Sequence, residues 1–140
     1  MKAHLTRRYI FSASHRLHCY KLSEEQNRAV YGKCNNPHGH GHNYALEVTV
    51  SGQVDAKTGM ICNLVELDET VQRELLERFD HVNLNLCPEF KAVVPTTENL
   101  SEAIFHILKQ NFRAAHLEKV RLEETAMNSF EYAVDAELTP

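Results

Sequence analysis

Alternating hydrophobic and polar positions predict β-strands in the first half of the chain. Residues 5–15 alternate loosely and residues 42–53 alternate cleanly. The apolar side of the second segment carries Tyr44, Leu46, Val48 and Val50. A turn at 55–59 precedes another apolar run at 60–64, which suggests that 42–53 and 60–64 form a hairpin.

The hydrophobic period then changes from two to that of a helix. Asn63 followed by Glu66 is typical of a helix start. The apolar positions that follow at helical spacing are Leu64, Leu67, Val71, Leu75 and Phe79. A second helix is predicted to begin near Thr96 or Thr97, with Leu100, Ile104, Ile107 and Leu108 as its buried stripe. A short helical stretch is also expected at 23–30, inside the polar loop 16–39.

The chain returns to strands near its end. Strands are predicted over 120–126 and 130–138, joined by a turn at 127–129. Strands at both ends around a pair of helices indicate an α+β fold with an antiparallel sheet. In a sheet of about four strands with two helices on one face, the other face and the edges are left uncovered. Oligomerisation commonly covers such surfaces.

Length and composition narrow the function classes. A chain of 140 residues, 43% hydrophobic and 24% charged, predicts one soluble domain. No apolar run approaches the roughly 18 residues of a membrane span, and the N-terminal segment lacks the apolar region of a secretory signal. A cytoplasmic protein is therefore expected, with its four cysteines as reduced thiols.

The net charge of −4 argues against a general nucleic-acid or membrane binder. Residues 1–33 nevertheless carry +5, which leaves −9 on the remainder. The basic residues of this segment are Lys2, Arg7, Arg8, Arg16, Lys21, Arg28 and Lys33. Either this is a chance asymmetry of the surface, or it marks a local site for an anionic ligand.

Histidines supply the most informative chemistry. Five of the nine fall within 28 residues, including His38, His40 and His42, which alternate with glycines. Alternate residues of a strand share a face, so His40 and His42 point the same way, and His15 ends a neighbouring predicted strand. Three imidazoles with an open fourth position are typical of a catalytic zinc site. A solvated histidine-rich loop is the alternative, and His18 and His38 are weaker candidates.

Three further features could belong to such a site. Cys34 lies six residues before His40 and could be a fourth ligand, a thiolate base or a small buried side chain. Asp80 could orient the imidazole of His81 where the first long helix ends. Alternation should point either Glu123 or Glu124 inward, where a buried carboxylate needs a ligand with paired N–H donors or another partner.

Several motifs together resemble the 6-pyruvoyl tetrahydropterin synthase family over nearly the whole chain. They are FSASHRL at 11–17, GKCNNPHGHGHNY at 32–44, DHxNL at 80–84, TTEN at 96–99 and ET at 124–125. The second motif is highly specific, whereas the last two are weak alone. Departures from the family pattern are modest: the sequence FDHVNLN at 79–85, where the first long helix ends, and Pro95 before the threonines.

The resemblance implies a tunnelling fold: a four-stranded antiparallel sheet with two helices on one face, in a single pterin synthase domain over residues 1–140. Trimers would close their sheets into a β-barrel, and two trimers would stack as a homohexamer with active sites between subunits. The implied reaction converts 7,8-dihydroneopterin triphosphate to 6-pyruvoyl tetrahydropterin with release of triphosphate, in tetrahydrobiopterin biosynthesis.

The resemblance also implies roles for individual residues. His15, His40 and His42 match the zinc ligands, and Cys34 matches the general base. Asp80 and His81 match the pair that activates this cysteine from a neighbouring subunit. Glu124 matches the acid that anchors the pterin ring, with Thr96, Thr97 and Glu98 lining the same pocket. Arg16 and Lys33 are expected to meet the triphosphate, on charge alone.

Two alternatives stay open. The first is 6-carboxytetrahydropterin synthase of the queuosine pathway, whose members tend to have a shorter gap between the cysteine and the H-G-H pair. Here five residues separate Cys34 from His40, which favours the pyruvoyl enzyme. The second is a non-catalytic pterin- or metal-binding homologue, which should lack the thiol or the Asp80–His81 pair.

Overall fold

A five-stranded sheet organises the chain in the computed structural model, which describes residues 1–134. The strands are β1 (Lys2–His15), β2 (His40–Gln53), β3 (Val82–Asn83), β4 (His116–Thr125) and β5 (Asn128–Tyr132). Their order in the sheet is β3-β1-β2-β4-β5. The predicted four-stranded antiparallel sheet is confirmed by β1, β2, β4 and β5, and the two-residue β3 adds a short parallel pairing to β1.

The predicted hairpin between 42–53 and 60–64 is wrong. Both edges of β2 are already occupied, by β1 on one side and by β4 on the other. Residues 60–63 instead close a loop, in which the Asp55 amide donates to the Met60 carbonyl at 2.9 Å. The apolar run thus ends in a helix cap, because Asn63 begins the next helix.

The C-terminal strands differ from their predicted bounds. The turn occupies residues 126–127 and β5 already begins at Asn128, inside the turn predicted at 127–129. The predicted strand over 130–138 is confirmed for its first three residues, and residues 135–138 lie outside the described part of the chain.

Both long helical segments begin where predicted. The helices are α1 (Glu24–Tyr31), α2 (Leu64–Val71), α3 (Glu77–Phe79) and α4 (Thr97–Asn111), and a π-helical turn (Gln72–Leu76) joins α2 to α3. The Asn63 side chain accepts a hydrogen bond from the Val65 amide at 2.9 Å, and the Thr96 hydroxyl accepts one from the Asn99 amide at 3.2 Å. These contacts satisfy amide groups that have no partner inside the helix.

The core lies between the helices and one face of the sheet. The apolar face of β2 is fully buried there, together with Leu67, Val71, Leu100 and Ile104 from the helices. The opposite face of the sheet is polar. On it, the Glu47 carboxylate contacts Arg8 at 3.2 Å and Arg121 at 2.9 Å.

The predictions about the cysteines, membrane-spanning segments and location can be compared with the structure. All four cysteines are free thiols, as predicted. Within residues 1–134, no helix combines the length and the apolar character that crossing a bilayer requires. The cytoplasmic location stays a prediction.

Asn27 holds the segment between β1 and α1 in place, so its replacement should destabilise the fold. It is fully buried, its amide oxygen accepts from the Cys19 amide at 2.7 Å, and its nitrogen donates to the carbonyls of Cys19 and Ser23. Asn27→Ala should lower the free energy of unfolding by about 1–3 kcal/mol, because it leaves buried backbone groups unpaired. Urea denaturation measures this, with the exposed Asn111→Ala as the matched control. Equal midpoints for the two variants would contradict the assignment.

Candidate metal centre and active site

Three histidine side chains meet at one end of the sheet. In the antiparallel register, His15 of β1 lies opposite His40 of β2, and His42 follows on the same face of β2. One ring nitrogen from each residue lies within 4.8 Å of the others. The ring centroids are 4.8 Å (His15–His40), 5.0 Å (His15–His42) and 4.7 Å (His40–His42) apart. The structure therefore brings together the three histidines that the sequence pattern predicted, whereas His18 and His38 lie outside this group.

The tautomer of His15 is set by a backbone carbonyl. Its Nδ1 lies 2.8 Å from the carbonyl oxygen of Pro95, which can only accept a hydrogen bond. The proton is therefore on Nδ1, and Nε2 carries a free lone pair. A second hydrogen bond of this kind is characteristic of metal-binding histidines, because it fixes the ring orientation.

Each of the three histidines also has a buried ring nitrogen without a hydrogen-bond partner within the described residues. These atoms are His15 Nε2, His40 Nδ1 and His42 Nε2. Burial lowers the pKa of His15, which is 1% exposed, and of His42, so both rings favour the neutral form that ligates metals. Three converging unpaired nitrogens fit a divalent metal ion with an open position.

A glycine permits the close approach of the loop to the metal-site strand. Gly39 adopts a positive φ of 73°, and a Cβ atom at this position would lie 3.0 Å from the carbonyl oxygen of His15. The left-handed backbone conformation and the missing side chain are both needed there. The glycine alternation in the sequence thus has a steric cause at Gly39.

Glu124 is the inward-facing member of the Glu123–Glu124 pair. Its Oε1 lies 3.4 Å from His42 Nε2, and its other oxygen accepts a hydrogen bond from the Thr97 hydroxyl. Glu123 instead faces the polar side of the sheet, where it lies 3.4 Å from Arg8. The structure thereby resolves which carboxylate points inward and places it beside the three histidines.

Cys34 lies near the same carboxylate. It belongs to a 3₁₀ turn (Gly32–Asn35), and its carbonyl accepts a hydrogen bond from the Leu17 amide at 2.8 Å, close to the end of β1. Burial raises the pKa of the Cys34 thiol, and the charge of Glu124 raises it further. Cys34 is thus a protonated thiol at neutral pH in the chain without a bound cation.

The remaining residues of the predicted pocket lie at the start of α4, where the two threonines make hydrogen bonds and Glu98 is exposed. Thr96 and Thr97 stand at the start of α4, where Thr96 caps the helix and Thr97 reaches Glu124. Glu98 is exposed on the first turn of the same helix. Thr97 thus contacts the inward-facing carboxylate, whereas Thr96 uses its hydroxyl for the helix cap; their part in a ligand pocket stays a prediction.

Asp80 and His81 form the predicted pair. Asp80 Oδ1 lies 3.0 Å from His81 Nδ1 and accepts a hydrogen bond from the Ser12 amide at 2.8 Å. The His81 side chain is 82% exposed and its φ is 60°. The hydrogen bonds that this pair makes within residues 1–134 include none to Cys34. The pair stands at the β1–β3 edge of the sheet.

Sequence reasoning missed two groups of this site. The Pro95 carbonyl is a backbone atom, and no side-chain pattern predicts where it points. The Tyr44 hydroxyl is buried and has no hydrogen-bond partner in the described chain, although its ring stacks on Phe11 with centroids 5.0 Å apart. Burial raises the pKa of Tyr44, and Glu124 adds to this effect. The position of Tyr44 two residues after His42 was the available signal, because it places both side chains on one face.

The arrangement suits acid–base chemistry on a ligand bound to a metal. A cation held by the three nitrogens would lie near the Glu124 carboxylate, which is 3.4 Å from His42 and whose charge reaches the Cys34 thiol and the Tyr44 hydroxyl. Carboxylate Glu124 can accept paired N–H donors of a planar ring, and the thiol can exchange protons.

Comparisons with known proteins agree with this geometry. The family model described as 6-pyruvoyl tetrahydropterin synthase matches residues 4–135. The chain is 44% identical over 132 residues to the human 6-pyruvoyl tetrahydrobiopterin synthase, covering 94% of this chain and 91% of the relative. The protein of that name from Poecilia reticulata is 45% identical over 130 residues, covering 92% of this chain and 88% of the relative.

Structural comparison gives the same answer. The structure of the Caenorhabditis elegans 6-pyruvoyl tetrahydropterin synthase superposes with a TM-score of 0.92 at 39% identity, covering 96% of this chain and 97% of that one. The sequence matches and the fold thus agree over nearly the same residues. The chain belongs to the 6-pyruvoyl tetrahydropterin synthase family.

Proposed function

We propose that the chain converts 7,8-dihydroneopterin triphosphate to 6-pyruvoyl tetrahydropterin and inorganic triphosphate. The observation that carries this proposal is the meeting of three imidazole nitrogens that make no hydrogen bond within residues 1–134, with a Glu124 oxygen 3.4 Å from one of them. Such a cluster offers a metal for oxygen atoms and a carboxylate for ring N–H groups, which are the two recognisable parts of a pterin with a hydroxylated side chain.

His15, His40 and His42 would hold the metal, and the all-imidazole ligand set favours zinc. A metal bound there would polarise the hydroxyl oxygens of the substrate side chain, acidify the adjacent C–H protons and stabilise a nearby thiolate. The hydrogen bond from His15 to the Pro95 carbonyl keeps the ring in the ligating orientation.

Cys34 would act as the general base that moves protons between the side-chain carbons. It is the thiol that shares the electrostatic surroundings of Glu124 and Tyr44. A proton removed from carbon can be returned by the same thiol, because its two protonation states exchange readily at neutral pH once the thiolate is stabilised.

Glu124 would bind the pterin ring by accepting paired N–H donors. The Thr97 hydroxyl already donates to one of its oxygens, so the carboxylate is held in place before the ligand arrives. Thr96 and Glu98 at the start of α4 would line the outer part of the pocket.

Asp80 and His81 would act on Cys34 of a neighbouring subunit. Their position at the sheet edge, with an exposed His81 side chain, supports contact with a second copy. On the side facing away from β2, β1 pairs only with the two residues of β3 within the described chain. Most of this edge is therefore open to a strand of a second copy. A homohexamer of two barrel-forming trimers, each subunit a single domain over residues 1–140, would cover this edge and enclose the polar sheet face.

Glu124→Gln should raise the KM for the pterin substrate about tenfold, because an amide offers one acceptor where the carboxylate offers two. Steady-state kinetics measures this effect. Glu123→Gln is the matched control, since the neighbouring side chain faces the opposite side of the sheet. An unchanged KM for Glu124→Gln would place that acid outside the pterin pocket.

The proposed function is tested by incubating the zinc-loaded protein with 7,8-dihydroneopterin triphosphate and identifying the products by mass. Formation of 6-pyruvoyl tetrahydropterin with triphosphate release is the expected result. If 6-carboxytetrahydropterin and acetaldehyde predominate, the queuosine-pathway activity takes its place, and the spacing argument from Cys34 fails. Absence of any turnover with metal bound would leave the non-catalytic homologue.

A further inference from the structure

A cavity, which we call the basic cleft, is lined by the residues that follow His15 and precede Cys34 in the chain. Its volume is about 290 Å³, and it is formed by the segment after β1, by α1 and by the 3₁₀ turn that carries Cys34. Its charged lining consists of Arg16, Arg28, Lys33 and Glu24. Three cations face one carboxylate there, so the cleft is positive in a chain whose overall charge is negative.

The cations of the basic cleft are available to a ligand. Within residues 1–134, Arg28 and Lys33 make no side-chain hydrogen bond or ion pair. Arg16 uses only its Nε, which donates to the carbonyl of the buried Asn35 at 3.1 Å. This contact anchors the side chain and leaves both terminal nitrogens of the guanidinium without a protein partner in the described chain.

Two other basic residues of the N-terminal segment, Arg7 and Arg8, are already neutralised. Arg7 makes a two-point contact with Asp68, at 3.1 and 2.8 Å, and Arg8 contacts Glu47. The positive excess in residues 1–33 is thus concentrated partly in the basic cleft. This distribution favours a site for an anion over a chance asymmetry of the surface.

The basic cleft is joined to the catalytic residues through the chain itself. Arg16 directly follows the metal-site residue His15, and Lys33 directly precedes Cys34. Consecutive Cα atoms are about 3.8 Å apart, so the backbone of Arg16 and Lys33 lies next to that of His15 and Cys34. A polyanion attached to the side chain of a ligand on the metal can reach it.

We propose that the basic cleft binds the triphosphate group of the substrate and stabilises inorganic triphosphate as it leaves. This inference rests on the proposed function. In the elimination, Cys34 takes a proton from the carbon next to the one that bears the triphosphate. The electrons of that C–H bond form a carbon–carbon double bond. The carbon–oxygen bond breaks with its electron pair moving to the triphosphate oxygen, where guanidinium groups stabilise the new charge.

The test uses inorganic triphosphate as the probe, titrated into the zinc-loaded protein by calorimetry. Arg28→Gln and Lys33→Gln should each raise the Kd for triphosphate about tenfold, because each removes a charge-assisted contact. They should raise the substrate KM by a similar factor. Arg113→Gln removes an exposed charge elsewhere and serves as the matched control with unchanged values. Equal affinity of the wild type and both cleft variants would overturn the proposal.

Triphosphate also binds divalent metals, so a metal-site variant separates the two sources of affinity. His40→Ala should bind triphosphate within about threefold of the wild type, since the basic cleft needs no metal. Loss of affinity in His40→Ala together with normal affinity in Arg28→Gln would show that the metal holds the phosphates, and the proposal would be wrong. If triphosphate binding depends on Arg28 but the pterin substrate is not turned over, the proposed function is rejected. The assignment of the basic cleft as a triphosphate-binding site would then stand.

Discussion

Cys34→Ala is expected to lose turnover by roughly 10²–10⁴-fold, the usual contribution of a positioned acid–base group. The thiol lies in the electrostatic range of Glu124 and Tyr44, and its turn is tied by backbone to the segment that follows His15. Removing one sulfur atom from a partly exposed turn should leave the fold intact. Zinc content should also stay at the wild-type value, because the three ring nitrogens do not depend on Cys34.

Cys62→Ala is the matched control for this experiment. Cys62 is also a partly buried free thiol whose pKa is raised by burial, but it lies in the loop before α2. Single-turnover rates, zinc content and circular dichroism should be measured for both variants. A Cys34→Ala rate within about threefold of the wild type would remove this thiol from the mechanism. Loss of zinc along with activity would show that Cys34 is instead a metal ligand, one of the roles that the sequence left open.

Hydrophobic periodicity correctly predicted the elements that bury one face in the core and leave the other face outside it. The apolar positions of β2 are fully buried, and the helical stripe from Leu64 to Phe79 packs on the same core. The stripe continues through the π-helical turn, whose extra residue per turn no hydrophobic pattern indicated. Capping residues also gave correct starts, because Asn63 and Thr96 bond to amide groups of the first helical turn.

The wrong hairpin prediction shows what hydrophobic patterns cannot predict. The run at 60–64 is apolar enough for a strand, yet both edges of β2 are taken by longer partners. Local hydrophobicity contains no information on which strands compete for an edge. The same holds for β3, whose two residues pair with β1 only because the preceding helix ends at Phe79.

The cluster of three histidines was predictable because its members lie on two neighbouring strands with period-two spacing. The register His15↔His40 could be reached by extending two regular strands. Contacts that depend on loops were not predictable from the residues alone. The Pro95 carbonyl reaches His15 from a segment eighty residues away, and the basic cleft collects cations from the segment after β1, from α1 and from the turn between α1 and β2.

His40→Ala should lose metal binding and activity together. Each of the three histidines has a buried ring nitrogen that makes no hydrogen bond within residues 1–134, so removal of one leaves two ligands for an ion that needs three protein ligands in an open site. Loss of an outer hydrogen bond to a metal ligand typically costs 10- to 100-fold in affinity, and loss of a ligand itself should exceed about 100-fold. Zinc content after dialysis against a competing chelator measures this change.

The control for His40→Ala is His38→Ala, which removes an exposed imidazole from the same loop. That variant should keep one zinc ion per chain and wild-type turnover, because His38 lies outside the group of three. Circular dichroism of both variants and of the metal-free wild type separates loss of the ion from loss of the fold. A His40→Ala protein that retains stoichiometric zinc would contradict the ligand set. The ion would then be held by other groups, and the neutral rings of His15 and His42 would require a different explanation.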